Sequence, residues 1–494
     1  METTKKRKIP VISPILNFFV NFHKRFMDGS IGTKLSHFIM GAGNFYHKQY
    51  IKGAIYLLLQ VLFVLVMVLC PGVKTAVPEI PGMEGMFEGE SNITHFGYKS
   101  LVELFGNGEN HALGYERGEW PFGYADNSML ILLFGVITIG MIFVYIFAWN
   151  SSIKSAYKAD LDVRSNKKPT TIKEDLRALL DERFHVLMLT PTCLAALVFT
   201  VLPTIFMILI AFTDYGKTTD GLVTIGLELV HWDGFKHFAE AFSGEGEIAV
   251  RFLPVLGWTI VWAIIATFSC YFGGILLALL INKKEVKFKK LWRTIFILTI
   301  ALPQFISLLA VAKILSYEGP FNQFLVNIGI LKQPMEFLGE AENANTARIT
   351  VLIVNMWLGI PYTMLQTSGI LMNIPTDLYE AATIDGANKN QMFRNITLPY
   401  IIFVTTPYLI SSFVGNINSF NVIFFLTGGG PTLGEGYVAG QTDLLVTWLY
   451  NLTIGQEKYN VGAVIGIFTF IITTTITLVT YRRSKAYNEE ETFQ

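Results

Sequence analysis

Two polar stripes lie inside otherwise apolar stretches of this sequence. In "YIIFVTTPYLISSFVGNINSFNVIFFL" (400–426), Ser412, Asn416 and Ser419 fall at i, i+4 and i+7, one stripe of a helix, and Gly415 beside them leaves room. In "NMWLGIPYTMLQ" (355–366), Asn355, Gly359, Tyr362 and Gln366 share a face. Trp357 and Tyr362 add flat aromatic surface there, and Pro361 weakens the helix. Hydroxyls and amides offer donors and acceptors without charge. Such groups suit a neutral ligand covered in hydroxyls, and aromatic planes suit the C–H patches on the faces of a sugar ring. Small and polar residues in membrane spans also serve simply to pack helices or bond across them. The residues alone leave both readings open.

The elements that would position these stripes follow from composition. The chain has 494 residues, 52% hydrophobic and only 15% charged, against about 25% charged in a soluble globular chain. That deficit places it in the membrane class. Eight stretches reach the roughly 20 apolar residues that a spanning helix needs: 51–70, 128–149, 186–212, 252–281, 291–313, 349–373, 400–423 and 461–480. The expected fold is therefore an all-α polytopic membrane protein of eight transmembrane helices.

Basic residues set its orientation. Residues 1–53 hold nine, the loop 150–185 holds eight and 282–293 holds six. The alternate segments 71–127, 214–251, 314–347 and 424–460 hold three, three, one and one. Both termini and the loop 374–399 are thus expected in the cytoplasm. The expected organisation is a cytoplasmic amphipathic segment over 1–53, then two added spans over 54–149 with an irregular outer loop at 71–127. A cytoplasmic linker follows over 150–185, then a six-span core over 186–481 and a tail over 482–494.

Several function classes lose support. Net charge is zero, which gives no sign of a nucleic-acid partner. Cys70, Cys193 and Cys270 form no CxxC pair, and no zinc site or disulfide framework is expected. No GxxxxGK[ST], HExxH or GxSxG motif occurs. The spans contain essentially no acidic or basic residues, which disfavours a proton- or sodium-driven carrier. A polytopic enzyme such as a glycosyltransferase needs acidic groups at the membrane face, and no Asp/Glu cluster has that setting. No catalytic residue, metal or cofactor is assigned to this chain.

The segment "YEAATIDGANKNQMFRNITLP" (379–399) carries Glu380-Ala381-Ala382, then Gly386, Ile396 and Leu398-Pro399. Its first part reads as a helix over 376–384 with Thr376 or Asp377 as N-cap. The alanines keep one face thin, Glu380 offers a charged handle and Gly386 ends the helix. A second helix is expected from about Asn388 to Ile396.

This spacing resembles the EAA---G---------I-LP signature in the cytoplasmic loop of binding-protein-dependent ABC importer permeases, and it matches at all seven defining positions over twenty residues. The stretches "AFTDYG", "HWDGFKHF", "LWRTIFILTIALPQFIS" and "LTGGGPTLGEG" further resemble the MalF-type permeases of oligosaccharide importers. The resemblance covers roughly 185–485. It departs from the best-known members in the loop between the third and fourth spans, which is short here (214–251) and similar to Gram-positive maltodextrin and galacto-oligosaccharide permeases.

The resemblance implies a type I permease subunit in a bacterial cytoplasmic membrane, paired with a MalG-type second permease. It implies two separate ATPase subunits, which bind ATP-Mg, and an extracytoplasmic sugar-binding protein. Glu380, Ala381, Ala382, Asp385, Gly386, Ile396, Leu398 and Pro399 would couple to the ATPase. Trp357, Leu358, Gly359, Tyr362, Ser412, Gly415, Asn416 and Ser419 would touch the substrate. Maltodextrin is the first expectation for that substrate and galacto-oligosaccharide the alternative.

Overall fold

The computed structural model describes residues 12–70, 72–76, 91–105, 112–114, 116–117, 124–216, 229–243, 247–283, 285–339, 344–432 and 439–483. Residues 1–11, about half of the loop 71–127, part of "LTGGGPTLGEG" and the tail beyond 483 lie outside them. The chain forms two compact units, 1–233 and 234–494. Among the described residues, seven helices are long and apolar enough to cross a membrane, and an eighth span is made if one bent pair is counted.

In the first unit, helix α1 (Ile12–Asp28) is followed by the spans α2 (Tyr50–Leu69) and α3 (Ser128–Arg164), a short helix α4 (Ile172–Leu180) and the span α5 (Phe184–Ile210). Helix α3 starts at Asn127, whose side chain accepts from the backbone N–H of Leu130. It does not stop where the apolar run stops. It continues to Arg164 through what the sequence suggests is a linker, because its polar residues serve the N-terminal segment. Ser152 Oγ accepts from Gly41 N at 2.9 Å, Asp160 from Ser30 N at 2.8 Å and Ser155 from Asn44 Nδ2 at 2.9 Å. Phe22 and Phe26 of α1 meet the His37 ring edge-on. In the loop 71–127 the described residues form two antiparallel ribbons, Val73–Ala76 with Ser91–Thr94 and Glu116–Arg117 with Tyr124–Ala125. A short helix there, Tyr98–Leu104, lies on α3.

The second unit is built on α6 (Glu247–Asn282), followed by α7 (Lys289–Ala301) and α8 (Gln304–Ile314). The single fifth span expected over 291–313 is broken: α7 and α8 meet at 95°. Pro303 has no N–H to donate, and its ring drives Leu302 into extended backbone (ψ 138°). Next come α9 (Ala344–Met372), α10 (Thr376–Ile384), α11 (Lys389–Met392), α12 (Leu398–Ile417), α13 (Phe420–Thr427), α14 (Leu445–Tyr450) and the last span α15 (Tyr459–Arg483).

The core of this unit is the pair α6 and α9. Trp258, Trp262 and Ala266 bury against Val351 and Val354, with Leu308 of α8 and Val422 of α13 closing the cluster. Lower down, Tyr271 and Ile275 of α6 pack on Ile401 of α12. The two main helices approach closely at glycines. A Cβ on Gly274 would lie 2.4 Å from Thr363 Cβ, and one on Gly359 would lie 2.6 Å from Cys270 Sγ. Only a residue without a side chain fits at these two points.

Candidate functional site

Below the Trp258–Trp262 cluster, α6, α9 and α12 part around a cavity of about 270 Å³, just under the usual range for ligand sites, roughly 300–1,000 Å³. Helix α9 contributes Asn355, Gly359, Tyr362 and Thr363. Helix α12 contributes Tyr408, Leu409, Ser412, Gly415 and Asn416, and α6 contributes Thr267, Cys270 and Tyr271. No lining side chain carries a charge. The wall is cross-bonded: Asn416 Nδ2 donates to Thr267 Oγ1 at 2.9 Å, and the Tyr271 and Thr405 hydroxyls pair at 2.6 Å. The Thr363 and Tyr408 hydroxyls lie 3.2 Å apart, and the rings of Tyr362 and Tyr408 stand 5.8 Å apart, tilted 38°. Ser412 Oγ makes no hydrogen bond among the described residues, so it is available to a ligand. Nothing lies within 4 Å of a Cβ built on Gly415, so that residue opens the cavity. The wall therefore offers two aromatic faces and a ring of uncharged donors and acceptors.

Of the residues singled out in the sequence, the cavity gathers Asn355, Gly359, Tyr362, Ser412, Gly415 and Asn416, while Gln366, farther along the α9 stripe, does not line it. Gly359 lines it through close packing on Cys270, with little surface of its own. Trp357, Leu358 and Ser419 lie outside. Trp357 is two residues from Asn355, about 200° around a helix, and it is exposed on the far side. Leu358 packs on the Trp258 cluster. Ser419 leaves the stripe because α12 ends at Ile417, with Asn418 as C-cap and Ser419 opening α13. Sequence reasoning missed Thr267, Cys270 and Tyr271, which sit in a span with no polar stripe strong enough to mark a face.

The segment 376–399 forms a separate arrangement. Helix α10 begins after Pro375, in extended backbone, and not with Thr376 or Asp377 as a side-chain cap. It ends in a Schellman turn: Gly386 takes φ +77°, Ala387 N donates to Ala382 O and Gly386 N to Thr383 O. Asn388 then caps α11 reciprocally with Gln391. A π turn, Phe393–Thr397, leads from α11 into α12. Pro399, two residues on, cannot donate, and the turn before it is wound wider. The same device, a π turn at Leu197–Val201, precedes Pro203 in α5. Ile396 and Leu398 are half-buried around that turn and Pro399 is exposed.

Tyr379 is the inward member of α10: its hydroxyl meets the buried Thr397 hydroxyl at 2.8 Å. Outward, Glu380, Ala381 and Asp385 are exposed, with Ala382 half-buried. Leu378 is 46% exposed and Ile384 87% exposed. Glu380 has no ion pair or hydrogen bond among the described residues. Helix α10 thus leaves an apolar and acidic face exposed, while one hydroxyl pair holds it from behind. Replacing Tyr379 with phenylalanine removes one hydrogen bond of about 1 kcal/mol.

Residues 271–485 match the family described as binding-protein-dependent transport system inner membrane components. The chain is also 30% identical over 454 residues to the galactooligosaccharides transport system permease protein GanP of Bacillus subtilis, covering 92% of this chain and 97% of that one. The chain belongs to this family. The maltodextrin transport system permease protein MalC of Streptococcus pneumoniae is 31% identical over 466 residues, covering 92% of this chain and 95% of that one. This is a MalF-type permease, a transport component and not an enzyme, in a multi-pass membrane fold. A bacterial alginate ABC transporter aligns with a TM-score of 0.49 at 23% identity, covering 63% of this chain and 98% of that one. The segment 376–399 and nearly all of the cavity wall of this permease lie in the stretch that matches the family.

Proposed function

We propose that this permease conducts a neutral oligosaccharide, maltodextrin first and galacto-oligosaccharide as the alternative, and that the cavity between α6, α9 and α12 holds it in transit. The observation that carries this reading is the wall of Tyr362, Tyr408, Ser412, Asn416 and Thr267, polar but without charge. An anionic or cationic solute would be buried there without a counter-charge, at a cost of several kcal/mol. The similarity to GanP and MalC supports a sugar.

In this reading 186–481 is the transport core and 54–149 an addition to it. The bias of lysine and arginine puts both termini and the segment 374–399 in the cytoplasm. There Glu380, Ala381, Ala382 and Asp385 on α10 dock into one of two ATPase subunits, which bind ATP-Mg. Gly386 ends that helix, and Ile396, Leu398 and Pro399 join it to the seventh span. A second, MalG-type permease completes the pathway, and an extracytoplasmic binding protein delivers the sugar. Closure of the ATPases on ATP moves α10, and the cavity is switched toward the outside. Hydrolysis returns it.

Deleting this chain in its own host should lower uptake of labelled maltodextrin or galacto-oligosaccharide at least about tenfold, with uptake restored by re-expression. Uptake of both sugars that is indifferent to the deletion, with dependence on this chain for a charged solute instead, would refute the neutral-sugar reading.

A further inference from the structure

The first unit holds a second cavity, of about 590 Å³, apart from the one described above. It is bounded by 47–52, where the chain enters α2, and by 168–173, where it enters α4. Four lysines line it, Lys48, Lys52, Lys168 and Lys173, and no acidic side chain does.

The floor is built. Lys52 is 8% exposed; its ammonium donates to Thr170 O at 2.6 Å and pairs with Asp175 behind the wall. Gln49 Nε2 donates to the same carbonyl at 2.7 Å. Lys52 is thereby neutralised and holds the two segments together. The other three lysines are exposed at the rim, and none has an ion pair among the described residues. Lys48 sits at φ +61°, where glycine would lie without strain and a lysine is uncommon. The first turn of α4 adds no positive charge of its own, since Thr171 and Glu174 cap it reciprocally and it carries Glu174 and Asp175. The fifth cation candidate, His47, is held below the ordinary imidazole range by burial, so the positive charge of the site is that of its lysines.

The place of the cavity decides between anions. It lies at the first turn of α2, where the apolar span begins. Ile51, which lines it, heads an exposed stripe that continues through Ile55, Leu58 and Leu62 at i+4, i+7 and i+11. A phosphate held by the rim lysines would therefore have an apolar track leading from it into the membrane. Basic pockets at the membrane boundary suit acidic headgroups, with each lysine contributing about a fivefold gain near an anionic surface. We propose that this pocket binds the phosphate of an anionic phospholipid, headgroup on Lys48, Lys168 and Lys173 and acyl chain along the Ile51 stripe.

The test uses the full chain in its purified complex, titrated in detergent with phosphatidylglycerol, phosphatidylcholine or inorganic phosphate and read by native mass spectrometry. The expected result is a retained phosphatidylglycerol, no retained phosphatidylcholine, and no displacement by millimolar inorganic phosphate. The triple change Lys48→Gln, Lys168→Gln, Lys173→Gln should weaken retention more than about tenfold. The triple arginine variant should keep it, which separates lost charge from lost folding. Equal retention of phosphatidylcholine, or of phosphatidylglycerol by the glutamine variant, overturns the proposal. Displacement by inorganic phosphate overturns the lipid as its source and leaves a soluble phosphate in the same lysines. None of these readings requires transport.

Discussion

Replacing Tyr362 and Asn416 together with alanine should abolish sugar uptake while the complex still assembles and hydrolyses ATP at its basal rate. Tyr362 gives the cavity an aromatic face beside Tyr408, and Asn416 gives it an amide aimed between α6 and α12. Truncating one well-placed contact of this kind costs roughly 2 kcal/mol or more, so two together imply a loss of about a hundredfold to a thousandfold. The fold has little at stake. Tyr362 is 47% exposed and outside the core cluster. Asn416 gives up one hydrogen bond, to Thr267, worth about 1 kcal/mol. Labelled-sugar uptake and ATP hydrolysis, measured on the same proteoliposomes, separate the two effects. Unchanged uptake kinetics in the double variant would place the conduction path elsewhere.

The second large effect is expected from Glu380→Lys. The side chain is exposed and has no partner among the described residues, so the change leaves the fold of α10 intact. Its cost falls on a docked partner: reversing one member of a desolvated charge pair costs about 2–5 kcal/mol. Sugar-stimulated ATP hydrolysis should fall about tenfold or more, and basal hydrolysis by the ATPase subunits should persist. Normal transport by this variant would take the docking role away from the α10 face. Gly386 offers no comparable test, since its φ of +77° would make any substitution a change of backbone geometry as well.

The spans were legible because a bilayer demands long apolar helices and little else, and every expected stretch became helical. What composition could not show was continuity. Pro303 was visible, but a proline in a span can kink or break it, and the right angle at Leu302–Pro303 depends on how α8 reaches Leu308 into the core. The run from Ser151 to Arg164 looked like a loop for its charge. It is helical because its serines and Asp160 bond the backbone of the first unit's N-terminal segment, partners more than a hundred residues away.

The cavity was half legible for a similar reason. Helical periodicity placed Tyr362, Ser412 and Asn416 on facing stripes. It had no means to choose Thr267, Cys270 and Tyr271 from an apolar span, because their facing is set by the approach of α6 to α9 at Gly274 and Gly359. Ser419 was placed on the stripe by spacing, and the helix ended two residues short of it without glycine or proline to announce the end.

The π turn at Phe393–Thr397 joins α11 to α12 without interrupting the helical rod from Lys389 to Ile417. Its foot adjoins the docking helix through the Tyr379–Thr397 hydroxyl pair, and its upper end carries Ser412 and Asn416. The 23 residue steps from Lys389 to Ser412 measure about 35 Å at 1.5 Å per residue. Such a rod, if it moves as one piece with Pro407 inside it, is a lever arm. A tilt of about 10° at its foot then displaces the cavity wall sideways by roughly 6 Å. In the proposed reading, a small rotation of a docked ATPase would thus be enough to widen or close the cavity, without any charge moving through the membrane.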